Sequence, residues 1–112
     1  MTARTLQLFD ALVLLAVRYA LADSGKANFA QVQQALAYLQ PPGAEAAEIT
    51  SALQQLQGAR LLAFRDQHYR FSDLAEHYWQ HSGADKVCGA RVQWQRLYQQ
   101  LQGIECKPSE AL

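Results

Sequence analysis

The stretch from Ile49 to Trp79 constrains the fold most strongly, because about thirty residues there carry a helix, a stop and a paired ribbon in succession. Ile49, Leu53 and Leu56 recur at spacings of four and three, which predicts one apolar stripe along a helix. Gly58 follows, and glycine adopts without strain the left-handed conformation that ends many helices. The sequence therefore predicts a helix that stops at Gly58.

A β-hairpin is predicted directly after this helix. The runs Leu61–Phe64 and Tyr69–Phe71 are short, apolar and rich in aromatic residues, as strands are. The four polar residues between them, 65–68, predict the hairpin tip. Because the other periodic segments are helical, the expected fold class is mainly α with a small β-hairpin.

Apolar periodicity predicts four further helices. Capping boxes mark two of their starts, one from Asn28 and Gln31 and one from Ser72–Asp73 and Glu76. The predicted helices run from Thr5 to Ala22, from Asn28 to the stop at Pro41-Pro42-Gly43, from Asp73 to His81, and from Asp85 to Gln102.

The first of these helices imitates a secretory signal. An apolar run from Ala11 to Val17 follows the basic residue Arg4, as in a signal peptide. Asp10 and Arg18 bracket the run closely, however, and it is far too short to span a bilayer. We therefore expect a buried helix in a cytoplasmic protein that does not contact membranes. Since this helix is apolar nearly all round, it is expected to be covered on two sides.

Charge and cysteine content limit the function classes. The chain of 112 residues is long enough for one domain, and ten basic residues balance ten acidic residues. DNA-binding proteins usually carry a basic excess or a basic face, so any such face here must come from charge asymmetry. Cys88 and Cys106 are interpreted as reduced thiols, with a redox switch through a disulfide as the alternative.

The most specific pattern combines the third helix, the hairpin and the next helix start, through Ile49, Leu53, Leu56, Leu61, Leu62, Tyr69, Phe71 and Ser72–Ala75. With it, the chain from roughly Leu6 to Trp79 resembles the winged helix-turn-helix superfamily, in the style of small bacterial regulators of the MarR or PadR type. In that family a glycine usually precedes the first strand of the wing, whereas Arg60 stands there in this sequence. The resemblance implies a winged-helix domain over residues 1–84. Apolar spacing predicts an extra C-terminal helix over 85–103, and Pro108 indicates a flexible tail over 104–112.

The resemblance also implies sequence-specific binding to double-stranded DNA in transcription regulation. In the family the third helix enters the major groove, while the wing contacts the backbone or the minor groove. Serine, threonine and glutamine can hydrogen-bond base edges, and arginine, lysine and histidine can contact phosphates. The implied DNA-binding residues are Lys26, Thr50, Ser51, Gln54, Gln55, Arg65, His68 and Arg70.

Two features of the third helix favour a different partner. The helix contains no Arg or Lys, and Glu45 and Glu48 would repel phosphates. The alternative is therefore a winged helix that contacts another protein and does not bind DNA. A contiguous positive surface across the helix and the hairpin would favour DNA, and a mixed-charge or apolar surface would favour a protein.

The predicted fifth helix is additional to the helices that a winged-helix domain needs. Its apolar stripe, together with the broad stripe of the first helix, predicts a two-fold homodimer interface. Such a dimer would hold two recognition helices about one DNA turn apart. The alternative is that the fifth helix covers the first helix within a monomer. The predicted interface residues are Phe9, Val13, Trp94, Leu97, Tyr98 and Leu101.

No catalytic motif stands out. The sequence has no glycine-rich phosphate loop, no nucleophile elbow and no zinc-protease motif, so we expect neither an enzyme nor a bound cofactor. Asp73, His77 and His81 recur every four residues and share one helix face. Tetrahedral zinc needs further ligands and no cysteine is close by, so a solvated histidine pair is expected there and not a metal site.

Overall fold

The structure, a computed structural model, describes residues 4–102 and 105–106, with side chains for residues 6–102. Within these residues the chain forms five α-helices and two pairs of short strands, which confirms the mainly α class with a small β-hairpin. The helices are α1 (Leu8–Ser24), α2 (Phe29–Leu39), α3 (Ala46–Gly58), α4 (Asp73–Ser82) and α5 (Ala90–Leu101), with a 3-10 turn at Ala84–Lys86. The strands are β1 (Arg4–Thr5), β2 (Leu62–Arg65), β3 (His68–Phe71) and β4 (Glu105–Cys106), and β1 pairs with β4 and β2 with β3, both antiparallel.

Helix α1 is the centre of the core. Every side chain from Ala11 to Val17 is buried, which confirms the predicted buried helix. Helices α2, α3 and α5 pack against it, and α5 contributes the fully buried Leu97 and Leu101. Helix α5 of the same chain therefore covers part of α1, as in the monomeric alternative. None of the helices in the described part of the chain is long and apolar enough to cross a membrane.

Helix α3 ends at Gly58 as predicted, but a different residue takes the left-handed conformation. Gly58 lies within the helix, and Arg60 takes the left-handed conformation instead, with φ of 65°. The N–H of Arg60 donates to the carbonyl oxygen of Gln57 at 3.0 Å, and the N–H of Leu61 donates to that of Leu56 at 2.9 Å. This pair of bonds is the Schellman arrangement, which satisfies the last carbonyl groups of a helix. The prediction that Gly58 is the left-handed residue is therefore wrong.

Ser72 connects this helix end to the start of α4. Its hydroxyl oxygen accepts from the N–H of Ala75 at 3.1 Å, which confirms the N-cap, and its O–H donates to the carbonyl oxygen of Arg60 at 2.7 Å. The capping box predicted at Glu76 is wrong, because the residue three places after the cap is Ala75. The Glu76 carboxylate binds Arg18 Nη1 instead, with both oxygens at 2.7 Å.

Arg18 holds α1, α4 and the hairpin together. Its guanidinium carbon lies 5.3 Å from the ring centroid of Phe71 in β3 and 5.1 Å from that of Trp79 in α4. Cations at this distance are attracted to the face of an aromatic ring. The ion pair with Glu76 and these two ring contacts therefore orient the hairpin relative to the helical core.

The predicted start of α2 is confirmed, and the predicted start of α5 is wrong. At α2 the capping box is confirmed, because Asn28 and Gln31 each accept from the backbone N–H of the other at 2.8 Å. Helix α5 begins only at Ala90, because Gly89 before it has φ of 98° and interrupts the predicted helix. The Gln93 side chain donates to the carbonyl oxygens of Ala84 and Val87, at 3.1 and 3.3 Å, and stabilises this break.

The hairpin has a two-residue turn. Asp66 and Gln67 are both left-handed, with φ of 53° and 67°, as the central residues of a type I′ turn are. Arg65 and His68 pair with each other as the last residues of their strands. The predicted four-residue tip is therefore too long by two residues.

Candidate nucleic-acid interface

Helix α3 exposes most of the side chains that the resemblance assigns to base recognition. Thr50, Ser51 and Gln54 are exposed, and Gln55 is half-buried. The orientation predicted from the apolar spacing is confirmed, because the opposite side of the helix is buried. The buried residues are Ile49, Ala52, Leu53 and Leu56.

The hairpin separates its apolar and basic side chains onto two faces, because consecutive residues of a strand point in opposite directions. Leu62 pairs with Phe71, and Phe64 pairs with Tyr69. The ring centroids of Phe64 and Tyr69 lie 4.6 Å apart. These four residues form the apolar face. The other face, named here the basic face, consists of Ala63, Arg65, His68 and Arg70.

The two arginines of the basic face are available to an anion. Arg65 and Arg70 are both exposed, and in the described part of the chain neither forms an ion pair or donates a hydrogen bond. The tip contributes less net positive charge, because the exposed carboxylate of Asp66 lies there. The backbone carbonyl oxygen of Asp66 lies 2.8 Å from His68 Nδ1. The positive potential of the hairpin therefore comes mainly from the two guanidinium groups.

Lys26 reaches the hairpin through its neighbour in the chain. The carbonyl oxygen of Ala27 accepts from the N–H of Tyr69 at 2.7 Å, so the turn before α2 lies along strand β3. Lys26 is exposed and adjacent to this contact, and Arg70 follows Tyr69 in the strand. The structure thus brings Lys26 to the edge of the hairpin.

Two partly buried tyrosines, Tyr69 in the hairpin and Tyr19 in α1, are neutral at physiological pH. Burial raises the pKa of Tyr69 above its ordinary value of 10.0. Burial, and to a smaller extent the charge of Tyr38, raises the pKa of Tyr19 above the same value. The Tyr19 O–H donates to Gln93 Oε1 at 2.5 Å and so connects α1 to α5. Neither phenol opposes the arginines with a negative charge.

A groove of about 360 Å³ separates α3 from the first turn of α1. It brings together residues that the sequence assigned to different roles, since Phe9 was placed in a dimer interface and Ser51 and Gln55 in a DNA interface. The groove also carries two carboxylates, from Asp10 and Glu48. The residues that line this α1–α3 groove are Gln7, Phe9, Asp10, Ala47, Glu48, Ser51, Ala52 and Gln55.

The predicted dimer residues fall into two groups. Val13, Leu97 and Leu101 are fully buried within one chain, so in this conformation they offer no surface to a second subunit. That part of the predicted interface belongs to the core, because α5 folds onto α1. The other three residues, Phe9, Trp94 and Tyr98, are half-buried and still reach the surface.

Trp94 also fixes α5 to the start of α1. Its indole N–H donates to the carbonyl oxygen of Leu8 at 2.8 Å. Leu8 is itself exposed over 44% of its surface. The half-buried indole and the exposed leucine therefore form a small apolar surface where α1 and α5 meet.

The histidine row and the cysteines are not assembled into a site. The rings of His77 and His81 lie 4.0 Å apart, and no group of three His, Cys, Asp or Glu residues within the described chain could hold a metal ion. Cys88 is exposed. The side chain of Cys106 and most of the predicted tail lie outside the described residues, although Glu105 and Cys106 form strand β4.

Sequence reasoning missed two contributions to this surface. The bond between Ala27 and Tyr69 joins two backbone groups, so residue types carry no signal for it. Asp10 was noticed only as the end of an apolar run, although its acidic side chain three residues after Gln7 is a detectable capping pattern.

A scan against protein-family models found no match for this chain, and searches of curated proteins and of solved structures found none either.

Proposed function

We propose that this protein is a winged helix-turn-helix protein that binds double-stranded DNA and regulates transcription. In this proposal α3 is the recognition helix, the β2–β3 hairpin is the wing, and α5 is the extra C-terminal helix. The observation that carries the proposal is the basic face of the hairpin, where Arg65 and Arg70 are exposed and free of ion pairs among the described residues. Two exposed arginines without acidic partners, on a hairpin beside a polar helix, can contact the phosphates of a nucleic-acid backbone.

The outward face of α3 has the chemistry of base recognition. Gln54 can donate to and accept from the edge of adenine, and Thr50 and Ser51 can hydrogen-bond several bases. All three are exposed. Since a good bidentate contact discriminates against a wrong base by about 1–3 kcal/mol, we expect modest sequence preference from this helix.

Phosphate contacts are expected to be few. Lys26, Arg65 and Arg70 are the cations assigned to phosphates in this proposal, which leaves out the exposed Arg60 before β2, and α3 supplies none. Each neutralised phosphate contributes about −0.9 to the slope of log affinity against log salt, so one protomer should give a slope of about −3. This is a weak electrostatic term, and it favours binding by two linked copies.

We also propose a homodimer through the half-buried residues Phe9, Trp94 and Tyr98. A two-fold dimer presents two copies of α3, which doubles the phosphate contacts and reads a palindromic site. The small apolar surface where Trp94 meets Leu8 supports this choice of interface.

The test is a titration of the protein into labelled duplex DNA at about 50 mM and about 200 mM salt, with the mass in solution measured alongside. We expect salt-sensitive binding, and Arg65→Ala and Arg70→Ala should each weaken it on every sequence and reduce the slope by about one per protomer. Arg91→Ala is the matched control, because Arg91 is an exposed arginine on α5, outside both α3 and the hairpin. Equal losses in all three variants would contradict the assignment of the wing.

A second candidate function is a winged helix that binds a protein. The acidic first turn of α3 favours it, because Glu45 and Glu48 are exposed there and no cation on the helix balances them. Phe64 and Leu74 are also exposed over 49% and 39% of their surfaces, which suits a protein contact. Absence of DNA binding at the lower salt concentration, by a protein that is folded, would favour this candidate.

A further inference from the structure

The apolar face of the hairpin becomes exposed towards the turn. Leu62 is buried in the core, and Phe71 is half-buried beside Arg18. Closer to the turn, Phe64 packs against Tyr69, with the ring centroids 4.6 Å apart, but 49% of the Phe64 surface remains exposed. Aromatic pairs across two strands stabilise a ribbon through the contact between their rings. The exposed half of Phe64 contributes nothing to that contact and is available to a partner.

The hairpin is anchored to the rest of the chain along strand β3. The N–H of Tyr69 donates to the carbonyl oxygen of Ala27 at 2.7 Å, and the ring of Phe71 contacts the guanidinium group of Arg18. Arg18 is itself held by Glu76, whose two carboxylate oxygens lie 2.7 Å from Nη1. The turn has only two residues, so the tip carries no long loop. A partner that meets the tip therefore meets a preformed ribbon.

The opposite face of the same ribbon favours nucleic acid as that partner. Arg65 and Arg70 are exposed on the basic face, and among the described residues neither has an acidic partner. A ribbon that enters a groove of DNA meets one strand on each side, because the two strands form the walls of the groove. Phosphates of one strand can bind the arginines, while sugars and bases offer apolar surfaces to Phe64.

The thickness of the ribbon determines how it affects the DNA. A ribbon with side chains on both faces occupies about 10 Å, whereas the minor groove of B-DNA is about 6 Å wide. Phe64 and Arg65 are neighbours on one strand and point in opposite directions, so the full thickness is reached close to the tip. Entry of both side chains therefore requires a wider groove. Apolar side chains that insert between base steps of the minor groove unstack them and bend the duplex.

We propose that the wing enters the minor groove with Phe64 as an apolar wedge, opens a base step there and bends the DNA. This inference rests on the DNA-binding function proposed above. The protein then prefers deformable pyrimidine–purine steps such as TA and disfavours A-tracts, which are stiff and have a narrow minor groove. A wing that used only Arg65 and Arg70 would have the opposite preference, because a narrow groove attracts arginine.

The test compares two duplexes of equal length with identical ends, in which the centre is either a run of TA steps or an A-tract. Each duplex carries a donor fluorophore at one end and an acceptor at the other, and the full chain is titrated at about 50 mM salt. We expect about fivefold tighter binding to the TA duplex, with increased energy transfer, because flexible steps are easier to open.

The possible failures of this test are distinguishable. Equal affinity for the two duplexes, tighter binding to the A-tract, or binding without increased energy transfer would overturn the wedge and leave the DNA-binding function standing. Absence of binding to both duplexes by the folded protein would overturn the DNA-binding function and the wedge together.

Two variants of Phe64 and one control locate the effect. Phe64→Ala should abolish the preference for the TA duplex and the bend, with an unchanged salt slope because no cation is lost. Phe64→Leu keeps an apolar wedge and should keep most of both effects. Val92→Ala is the matched control, because Val92 is 41% exposed on α5, outside both α3 and the hairpin. A Phe64→Ala variant that has the helical circular dichroism of the parent and still bends the TA duplex would contradict the role of Phe64.

Discussion

Replacement of Arg60 by glycine should stabilise the protein. Arg60 occupies the left-handed position of the Schellman arrangement, with φ of 65°. A residue with a Cβ atom pays about 1–2 kcal/mol in this conformation, whereas glycine adopts it freely. The greater freedom of glycine in the unfolded chain offsets about 0.5–1 kcal/mol of that gain. We therefore expect Arg60→Gly to raise the free energy of unfolding by about 0.5–1 kcal/mol.

The measurement is urea and thermal unfolding of Arg60→Gly beside Arg60→Ala. Alanine removes the exposed side chain but keeps Cβ, so Arg60→Ala should stay within about 0.5 kcal/mol of the parent. For a domain of this size the glycine variant should gain about 2–6 °C in Tm. A glycine variant that is no more stable than the alanine variant would refute the assignment of the left-handed position to Arg60.

Two further predictions concern the same region. Ser72→Ala removes both the N-cap of α4 and the bond to the Arg60 carbonyl oxygen, so it should cost about 1–2 kcal/mol in urea unfolding, while Ser72→Thr should cost less. The pKa of Tyr69 is raised in the folded state above its unfolded value of 10.0, because the phenol is partly buried. The contribution of the neutral phenol to stability is therefore fully present below pH 10, and it is lost as the pH rises through the folded-state pKa. Tyr69→Phe should therefore reduce the loss of stability above pH 10, measured by unfolding across that range, and an unchanged alkaline profile would argue against the burial of the phenol.

Local features of this fold follow from the sequence because they depend on neighbouring residues. The box of Asn28 and Gln31 needs only two side chains three residues apart. The inward stripe of α3 needs only the helical repeat. The same local reasoning chose Gly58 over Arg60 for the helix end, because glycine is the residue preferred there. The Ser72 hydroxyl, twelve residues away, binds the Arg60 carbonyl oxygen, and no local rule could include it.

The placement of α5 could not be predicted from the sequence. Its apolar stripe can pack against either a second subunit or the α1 helix of the same chain, because the hydrophobic effect is non-directional. The choice depends on polar contacts between residues far apart in the sequence, such as Trp94 with Leu8 and Gln93 with Tyr19. The predicted interface residues were therefore divided between the core and the surface.

The candidate site was predicted as a set of residue types and not as a geometry. Because side chains alternate between the two faces of a strand, the register of the hairpin is sufficient to place Arg65 and Arg70 on one face. That register depends on a turn at Asp66 and Gln67, where neither residue is glycine. The α1–α3 groove joins residues about forty positions apart in the chain, so no spacing in the sequence indicates it.

The most direct test of the central claim is a map of the DNA contact surface by amide chemical shifts. The isotope-labelled protein is titrated with a short duplex, and the shifts are compared between α3 with the hairpin and α5. The DNA-binding proposal predicts shifts at Thr50, Gln54, Arg65 and Arg70 that fade as salt increases. Shifts confined to α5, or no shifts at low salt, would contradict it and favour the protein-binding function.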